Sequence, residues 1–340
     1  MKNIILLCLA ICMAVLSHTG MAQPDSSPVI VNLMIEVSTP SSPSQEDFAI
    51  AKDGLTNLYS KVYSKNATLF ISKEIASSQA KLLVTRYVAD NPGIELAMSG
   101  NYSDEKLEAL SYLEQKTELA NSKAMAESCR ICPSELMVVG FKPPSFNQNE
   151  DTYKVLDELG IGYDAGFQVG ILFTPGHQNN IWPYKVEGHK FYAVPVSTIE
   201  SSGKKVPLDD RYVKDNGFSS SQWYDMLVNK FDEVSGKKEP LVISLSTSIS
   251  GSGSFLSAYN QFVDYAISKG ARFVATSELV NMSRAGTFEL PAAPVSSSQI
   301  ANVSINGSNA SSSECKTCGE KQVDSETNII GVNIGKNSSK

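Results

Sequence analysis

Between residues 28 and 288, short apolar runs rich in Val, Ile and Phe alternate with longer stretches whose apolar residues recur at helical spacing. This alternation is the strongest constraint on the fold, because strands separated by helical crossovers build a parallel sheet. Residues 29–37 read as a first buried strand, followed by a helix carrying Phe48, Leu55, Leu58, Tyr59 and Val62. Further strands are expected at 68–71, 94–98, 136–141, 191–196 and 241–245, and helices over 77–89, 104–126, 223–231 and 255–267. Ser103 is placed to N-cap the charged 104–126 helix. Asn149 is placed as another N-cap, with Glu150 and Asp151 favouring the helix dipole and Gly160 just past the end. Six or seven such units in roughly 260 residues predict barrel-like closure. Functional groups in that architecture sit just after each strand. The segments to read are therefore Glu36-Val37-Ser38, Met98 to Ser103, Phe141 to Phe146, Asp164 to Phe167 and Ser244 to Thr247.

The flanks are different material. Lys2, an apolar run over 4–16 and the small triplet Gly20-Met21-Ala22 predict a secretory signal peptide over 1–22, with an uncleaved anchor as the alternative. The run is too short to span a bilayer, so a secreted or cell-surface protein with no stable membrane span is expected. Residues 291–340 contain no aromatic residue but 11 Ser and 6 Asn, too little apolar surface to offset ordering entropy, which predicts a flexible tail. Sequons occur at Asn66, Asn101, Asn281, Asn302, Asn306, Asn309 and Asn337, making each a candidate glycan site.

Four cysteines remain after the signal segment, as Cys129-Arg-Ile-Cys132 and Cys315-Lys-Thr-Cys318. In an exported chain disulfides are the first expectation, here tying the tail back to the domain; structural zinc or a redox pair is the alternative. The balance of 29 Lys+Arg against 36 Asp+Glu leaves a net charge of −7. Without clustered basic residues, neither nucleic acid nor an anionic membrane is the expected partner.

Taken together, the post-strand segments resemble the polysaccharide deacetylase (NodB-like) family. Phe141-Lys142-Pro143-Pro144-Ser145-Phe146, leading into Val155-Leu156-Asp157-Glu158-Leu159-Gly160, is similar to the family's third motif, an F-R-x-P stretch before a helix ending in E-L-G. The resemblance covers about residues 28–288 and implies an α/β fold of the distorted (β/α)7-type barrel. It also implies metal-dependent removal of N- or O-acetyl groups from a polysaccharide. Members hold the metal with an aspartate after the first strand and two histidines after the third; the aspartate preceding the ligand is the base. On this chain Glu36 falls at the base and Val37 at the metal-binding aspartate. Ser99 and Ser103 fall on the two histidines, Ser246 replaces the catalytic histidine of a late L-x-H motif, and Lys142 stands in place of arginine.

Those replacements remove the chemistry. A zinc-like ion takes imidazole, thiolate or carboxylate ligands, whereas valine offers no donor and neutral serine a poor one. Ser246 cannot shuttle a proton at neutral pH as histidine does. The leading expectation is therefore an exported, catalytically degenerate protein that needs no cofactor and binds a polysaccharide or another cell-envelope glycan. Its substrate-side candidates are Lys142, Pro143, Pro144, Phe146, Asp164 and Trp182, with Tyr184 and Phe167 as further aromatic faces for sugar rings. Glu36 reads either as a residual base or as a buried carboxylate paired with Lys142. Ser99 reads as a group satisfying loop backbone. The competing expectation is an active carbohydrate deacetylase, with a divalent metal rebuilt on His177, His189 and Asp164 or a metal-free pair of Glu36 and Asp164. A purely structural envelope protein is favoured if side chains fill the barrel mouth.

Overall fold

The first buried run becomes β1 (Ile30–Val37), every residue of which is buried, as expected of a central parallel strand covered on both faces. A computed structural model describes residues 27–128 and 136–286. The signal segment, Cys129, Cys132, Cys315, Cys318 and the Ser/Asn-rich tail lie outside the described residues.

Six more strands run parallel to β1: β2 (Ala67–Ile71), β3 (Ile94–Met98), β4 (Gly140–Phe141), β5 (Tyr163–Gln168), β7 (Tyr192–Val196) and β10 (Leu241–Ser246). Their order is β10-β1-β2-β3-β4-β5-β7, with the short β6 (Tyr184–Lys185) antiparallel on the outer side of β7. Between β7 and β10 no ladder forms, yet the gap is bridged. Ser197 N–H donates to the Val242 carbonyl at 3.0 Å, and Val242 N–H donates to Ser197 Oγ at 3.0 Å. Ser244 N–H reaches the Leu208 carbonyl at 2.9 Å. A hydroxyl and a loop carbonyl thus substitute for strand partners, and the result is the distorted seven-stranded α/β arrangement.

The helices α1 (Gln45–Val62), α2 (Lys73–Ala76), α3 (Ala80–Asp90), α4 (Tyr112–Glu127) and α5 (Glu150–Glu158) occupy the crossovers of the first half. Ser44–Asp47 and Asn149–Thr152 form capping boxes, and Gly160 follows α5 with φ +68° as the sequence implies. Two expectations are corrected. Ser103 caps nothing: residues 101–104 form bends and turns, and α4 begins eight residues later, where Ser111 and Glu114 make the capping box. The helix expected over 77–89 starts three residues later, at Ala80, and a separate short helix, Lys73–Ala76, precedes it.

The second half adds a hairpin, β8 (Thr198–Ser201) with β9 (Lys204–Pro207), and helices α6 (Asp210–Asp215), α7 (Ser220–Val234) and α8 (Gly253–Ser268). Trp223 and Phe231 of α7 and Phe262 of α8 are buried in the core. Finally β11 (Arg272–Val274) pairs with the start of β1, and α9 (Thr276–Ala285) turns under the barrel. Its first residues join a buried polar network. Thr276 N–H donates to Thr68 Oγ1 at 2.9 Å, Asn32 Nδ2 to Thr276 Oγ1 at 3.2 Å, and Ser277 N–H to Glu95 Oε2 at 3.1 Å. Tyr163 Oη also donates to Glu95. This network closes the end of the barrel opposite the post-strand segments.

One sequon is spoken for. Asn101 is 6% exposed, and its Nδ2 donates to Glu105 Oε1 at 2.7 Å and Glu118 Oε2 at 2.8 Å. A glycan there would break both bonds and displace the loop after β3. Intact-glycopeptide mass spectrometry on protein made in a glycosylating host is expected to find Asn101 bare. The exposed Asn281 is sterically open to modification. Stoichiometric occupancy of Asn101 in folded protein would contradict this packing.

Candidate functional site

Strand parity decides which predicted residues meet. Glu36 is in register with Phe70 of β2 and Ser246 of β10, so all three share the inner face. Glu36 lies at the C-terminal end of β1, is 2% exposed, and holds three partners. Lys142 Nζ donates to its Oε2 at 2.8 Å, while Ser38 Oγ at 2.6 Å and Arg211 Nη2 at 3.0 Å donate to Oε1. Burial by itself raises the carboxyl pKa, but the Lys142 and Arg211 charges and the hydrogen bonds outweigh it and hold the group at about 2. An anion held that firmly is a poor proton acceptor at neutral pH, so the pairing with Lys142, not a residual base, describes its state.

Lys142 follows β4, its backbone N–H bonded to the Met98 carbonyl at 3.0 Å. Its side chain is 2% exposed, with Nζ 4.8 Å from the centroid of the Phe146 ring, a cation–π contact that roofs the ion pair. Pro143 and Pro144 are buried beside it; a Cβ on Gly166 would sit 2.5 Å from Pro143 Cγ, and one on Gly100 2.7 Å from Pro144 Cγ.

The three positions at which the resemblance puts metal ligands are otherwise engaged. Val37 alternates with Glu36, so its side chain faces the helix layer, fully buried. Ser99 Oγ donates to the Lys142 carbonyl at 3.0 Å and thereby satisfies loop backbone. Ser103 binds through its backbone, its N–H reaching the Thr39 carbonyl at 2.8 Å. A divalent cation does not fit this donor set. No three His, Cys, Asp or Glu side chains among the described residues are grouped to hold one. His189 is bracketed by Asp157 Oδ2 at 2.9 Å and Glu150 Oε1 at 3.3 Å on its two nitrogens, whereas His177 stacks on Tyr184 with ring centroids 4.1 Å apart. The rebuilt site of His177, His189 and Asp164 does not assemble.

Ser246 sits beside Glu36 and is bound to a residue that sequence reading missed. Its N–H donates to Asp210 Oδ2 at 2.8 Å and its Oγ to Oδ1 at 2.9 Å. Asp210 is buried, and desolvation together with the Asp209 charge pushes its pKa upward. Arg211, also missed, follows it on α6. The signal was present: Asp209-Asp210-Arg211 follows directly on Val206-Pro207-Leu208, a charged triplet at the end of an unrecognised strand.

Two candidates fall elsewhere. Residues 164–167, read as a post-strand loop, lie inside β5. Asp164 is in register with Phe141, which alternates with the inward Lys142, so Asp164 points away from the barrel axis and does not face Glu36. Trp182 donates its indole N–H to the Lys238 carbonyl at 3.1 Å, just ahead of β10 and thus at the opposite end of the strands from Glu36.

Neither a protein-family model nor a curated protein matches the sequence. Solved structures do match. A structure from Mycobacterium smegmatis assigned as a polysaccharide deacetylase superposes with a TM-score of 0.59 at 16% identity, covering 78% of this chain and 93% of that one. Another from Pseudomonas aeruginosa PAO1, with the same assignment, gives 0.59 at 15% identity over 77% and 93% of the two chains. The chain has the polysaccharide deacetylase fold. An allantoinase superposes almost equally, with a TM-score of 0.58 at 14% identity over 78% and 94% of the chains. The deacetylase fold therefore carries more than one chemistry, and function must be argued from the site.

Proposed function

We propose that this protein is a non-hydrolysing, glycan-binding relative of the polysaccharide deacetylases, exported to the cell surface or beyond. The observation that carries the reading is the state of the barrel mouth. Val37, Ser99 and Ser103 occupy the expected ligand positions, and Glu36 is neutralised by Lys142 and Arg211 rather than free to take a proton. A metal-bound water has no holder in this mouth, because these side chains do not fit the ion. The fold supports the glycan part, since its polysaccharide-directed neighbours share the architecture. Export rests on the Lys2, 4–16 and Gly20-Met21-Ala22 pattern.

Isothermal titration of the full mature chain with acetylated and deacetylated cell-wall oligosaccharides is the test. Saturable binding without acetate release, and purified protein free of stoichiometric zinc, is expected. Acetate release from any of these oligomers would replace this reading with an active deacetylase. A second reading, a purely structural envelope component, is favoured by one observation: Glu36, Ser99, Lys142, Asp210 and Ser246 fill the mouth and are each 3% exposed or less. Absence of binding to every oligosaccharide would select it. N-terminal sequencing of secreted protein is expected to begin at Gln23.

A further inference from the structure

Ile171, Leu172 and Phe173 are 37, 39 and 42% exposed, the only consecutive large apolar residues left open to solvent among the described residues. They belong to the turn that follows β5, on the same end of the sheet as Glu36 and Ser246. Single exposed apolar residues need no explanation, but three together on one turn mark a contact surface. They also lie within a neutral stretch. Residues 165–184 contain no Asp, Glu, Lys or Arg, in a chain that is 19% charged.

The turn is firmly built. Gln168 N–H donates to the Leu172 carbonyl at 2.8 Å, and Ile171 and Leu172 N–H both donate to the Gln168 carbonyl, at 3.1 and 3.0 Å. On its flanks Val169 N–H reaches the Val196 carbonyl at 3.1 Å, and Thr174 N–H reaches Tyr184 Oη at 3.2 Å. Five of the seven N–H groups from Gln168 to Thr174 thus have partners within the protein. Gly170 takes φ +70°, which lets the turn close tightly. An apolar medium offers the backbone no hydrogen bonds, so a segment that enters one must satisfy its own donors. This turn largely does.

Beside it stands the β8–β9 hairpin with Lys204 and Lys205, both exposed. The Lys205 stem lies along Gly170: a Cβ there would fall 2.9 Å from Cδ and 3.0 Å from Cε. Its ammonium is therefore held next to the apolar tip, the arrangement in which a lysine reaches a lipid phosphate while its stem stays on apolar surface. Glu200 lies opposite Lys205 across the hairpin and offsets one charge. The whole chain carries −7 and has no general attraction to anionic lipid, so apolar burial is the larger share.

We propose that the turn 170–173, with Lys204 and Lys205 beside it, docks the protein on a phospholipid bilayer surface. The three apolar side chains enter the boundary between headgroups and acyl chains, and the lysines meet lipid phosphate. Successive residues of a turn project in different directions. They offer no flat face to a globular partner or a sugar ring, whereas fluid acyl chains close around them. The proposal does not depend on glycan binding, and it involves no membrane-spanning segment.

Vesicle flotation of the full mature chain, which lacks the 4–16 apolar run, tests it. The probes are phosphatidylcholine vesicles and equimolar phosphatidylcholine–phosphatidylglycerol vesicles. Saturable flotation on both is expected, tighter on the mixed ones. The triple variant Ile171→Ser, Leu172→Ser, Phe173→Ser is expected to lose about tenfold or more on both. Lys205→Gln is expected to lose about fivefold on the mixed vesicles and little on phosphatidylcholine. Leu82→Ser, at an apolar residue 59% exposed on α3, is expected to float as the wild type does. Wild-type protein that stays at the bottom of the gradient at millimolar lipid, or a triple variant that floats equally, overturns the proposal. So does a wild-type dimer in lipid-free buffer that the triple variant converts to monomer, which would assign the tip to a second copy. Should the triple variant fail to fold, Phe173→Trp decides. Its emission is expected to shift to the blue on mixed vesicles by more than the wild type's, and no additional shift overturns insertion.

Discussion

Replacing Glu36 by Gln is expected to lower the thermal midpoint by about 10 °C. The substitution keeps the shape but leaves the Lys142 ammonium, 2% exposed, without its counter-ion. Breaking a buried pair on one side costs about 3–5 kcal/mol, and in a chain of this size each kcal/mol moves the midpoint by about 2–4 °C. The double variant Glu36→Gln with Lys142→Met is expected to regain part of the loss, since the enclosed ammonium is gone while Arg211, 23% exposed, still faces the neutral amide. The pH dependence has a definite sign. Folding depresses the Glu36 pKa from 4.5 to about 2, so its contribution is present above 4.5 and lost as pH falls through about 2. That loss amounts to roughly 3 kcal/mol. The gap between wild type and Glu36→Gln should therefore close on acidification across that window. A single variant within about 2 °C of wild type at neutral pH would show that the pair adds nothing to the barrel.

Gly54→Ala is expected to destabilise by about 3 kcal/mol, although alanine in mid-helix ordinarily gains nearly 1 kcal/mol over glycine. Gly54 lies within α1, and a Cβ there would stand 2.0 Å from the Thr247 carbonyl oxygen, which is main chain and has little room to give. Gly251 faces it, its own added Cβ falling 2.4 Å from Gly54 Cα. The helix thus rests directly on the turn after β10, and pushing it away displaces Thr247 and its neighbour Ser246. Urea unfolding should show a lowered midpoint for Gly54→Ala, with Asp53→Ala on the exposed side of the same helix near wild type. Equal or higher stability of Gly54→Ala would mean that the contact yields without cost.

The strands with near-continuous apolar runs were legible because burial on both faces leaves a compositional mark, as in β1 and β10. Asn149 and Gly160 were legible because capping is local chemistry. Ser103 misled because cap preference alone does not distinguish it from Ser111, where Glu114 completes the reciprocal pair. β5 was invisible as a strand because Tyr163-Asp164-Ala165-Gly166 carries polar and small residues dictated by partners far away in sequence. Glu36 and Lys142 could be paired from the motif, but Arg211 reaches Glu36 from 175 residues away through a helix that has only six residues. Local pattern carries no trace of such a contact. The polar plug of Asn32, Thr68, Glu95 and Thr276 was missed for the same reason, since each residue looks like an interruption until the sheet is rolled up.

β1 is flanked by β10 and β11, strands made from the last part of the domain to be synthesised. A chain emerging from the ribosome therefore carries β1 with its β10 side bare until residue 246 has appeared, and with Ile30–Asn32 open on the β2 side until residue 274. Folding becomes a late, all-together event, because β1 stays only partly paired for most of the polypeptide's synthesis. Shortening the gene from its 3′ end should abolish soluble product abruptly once the codons for β11 are lost, rather than by degrees.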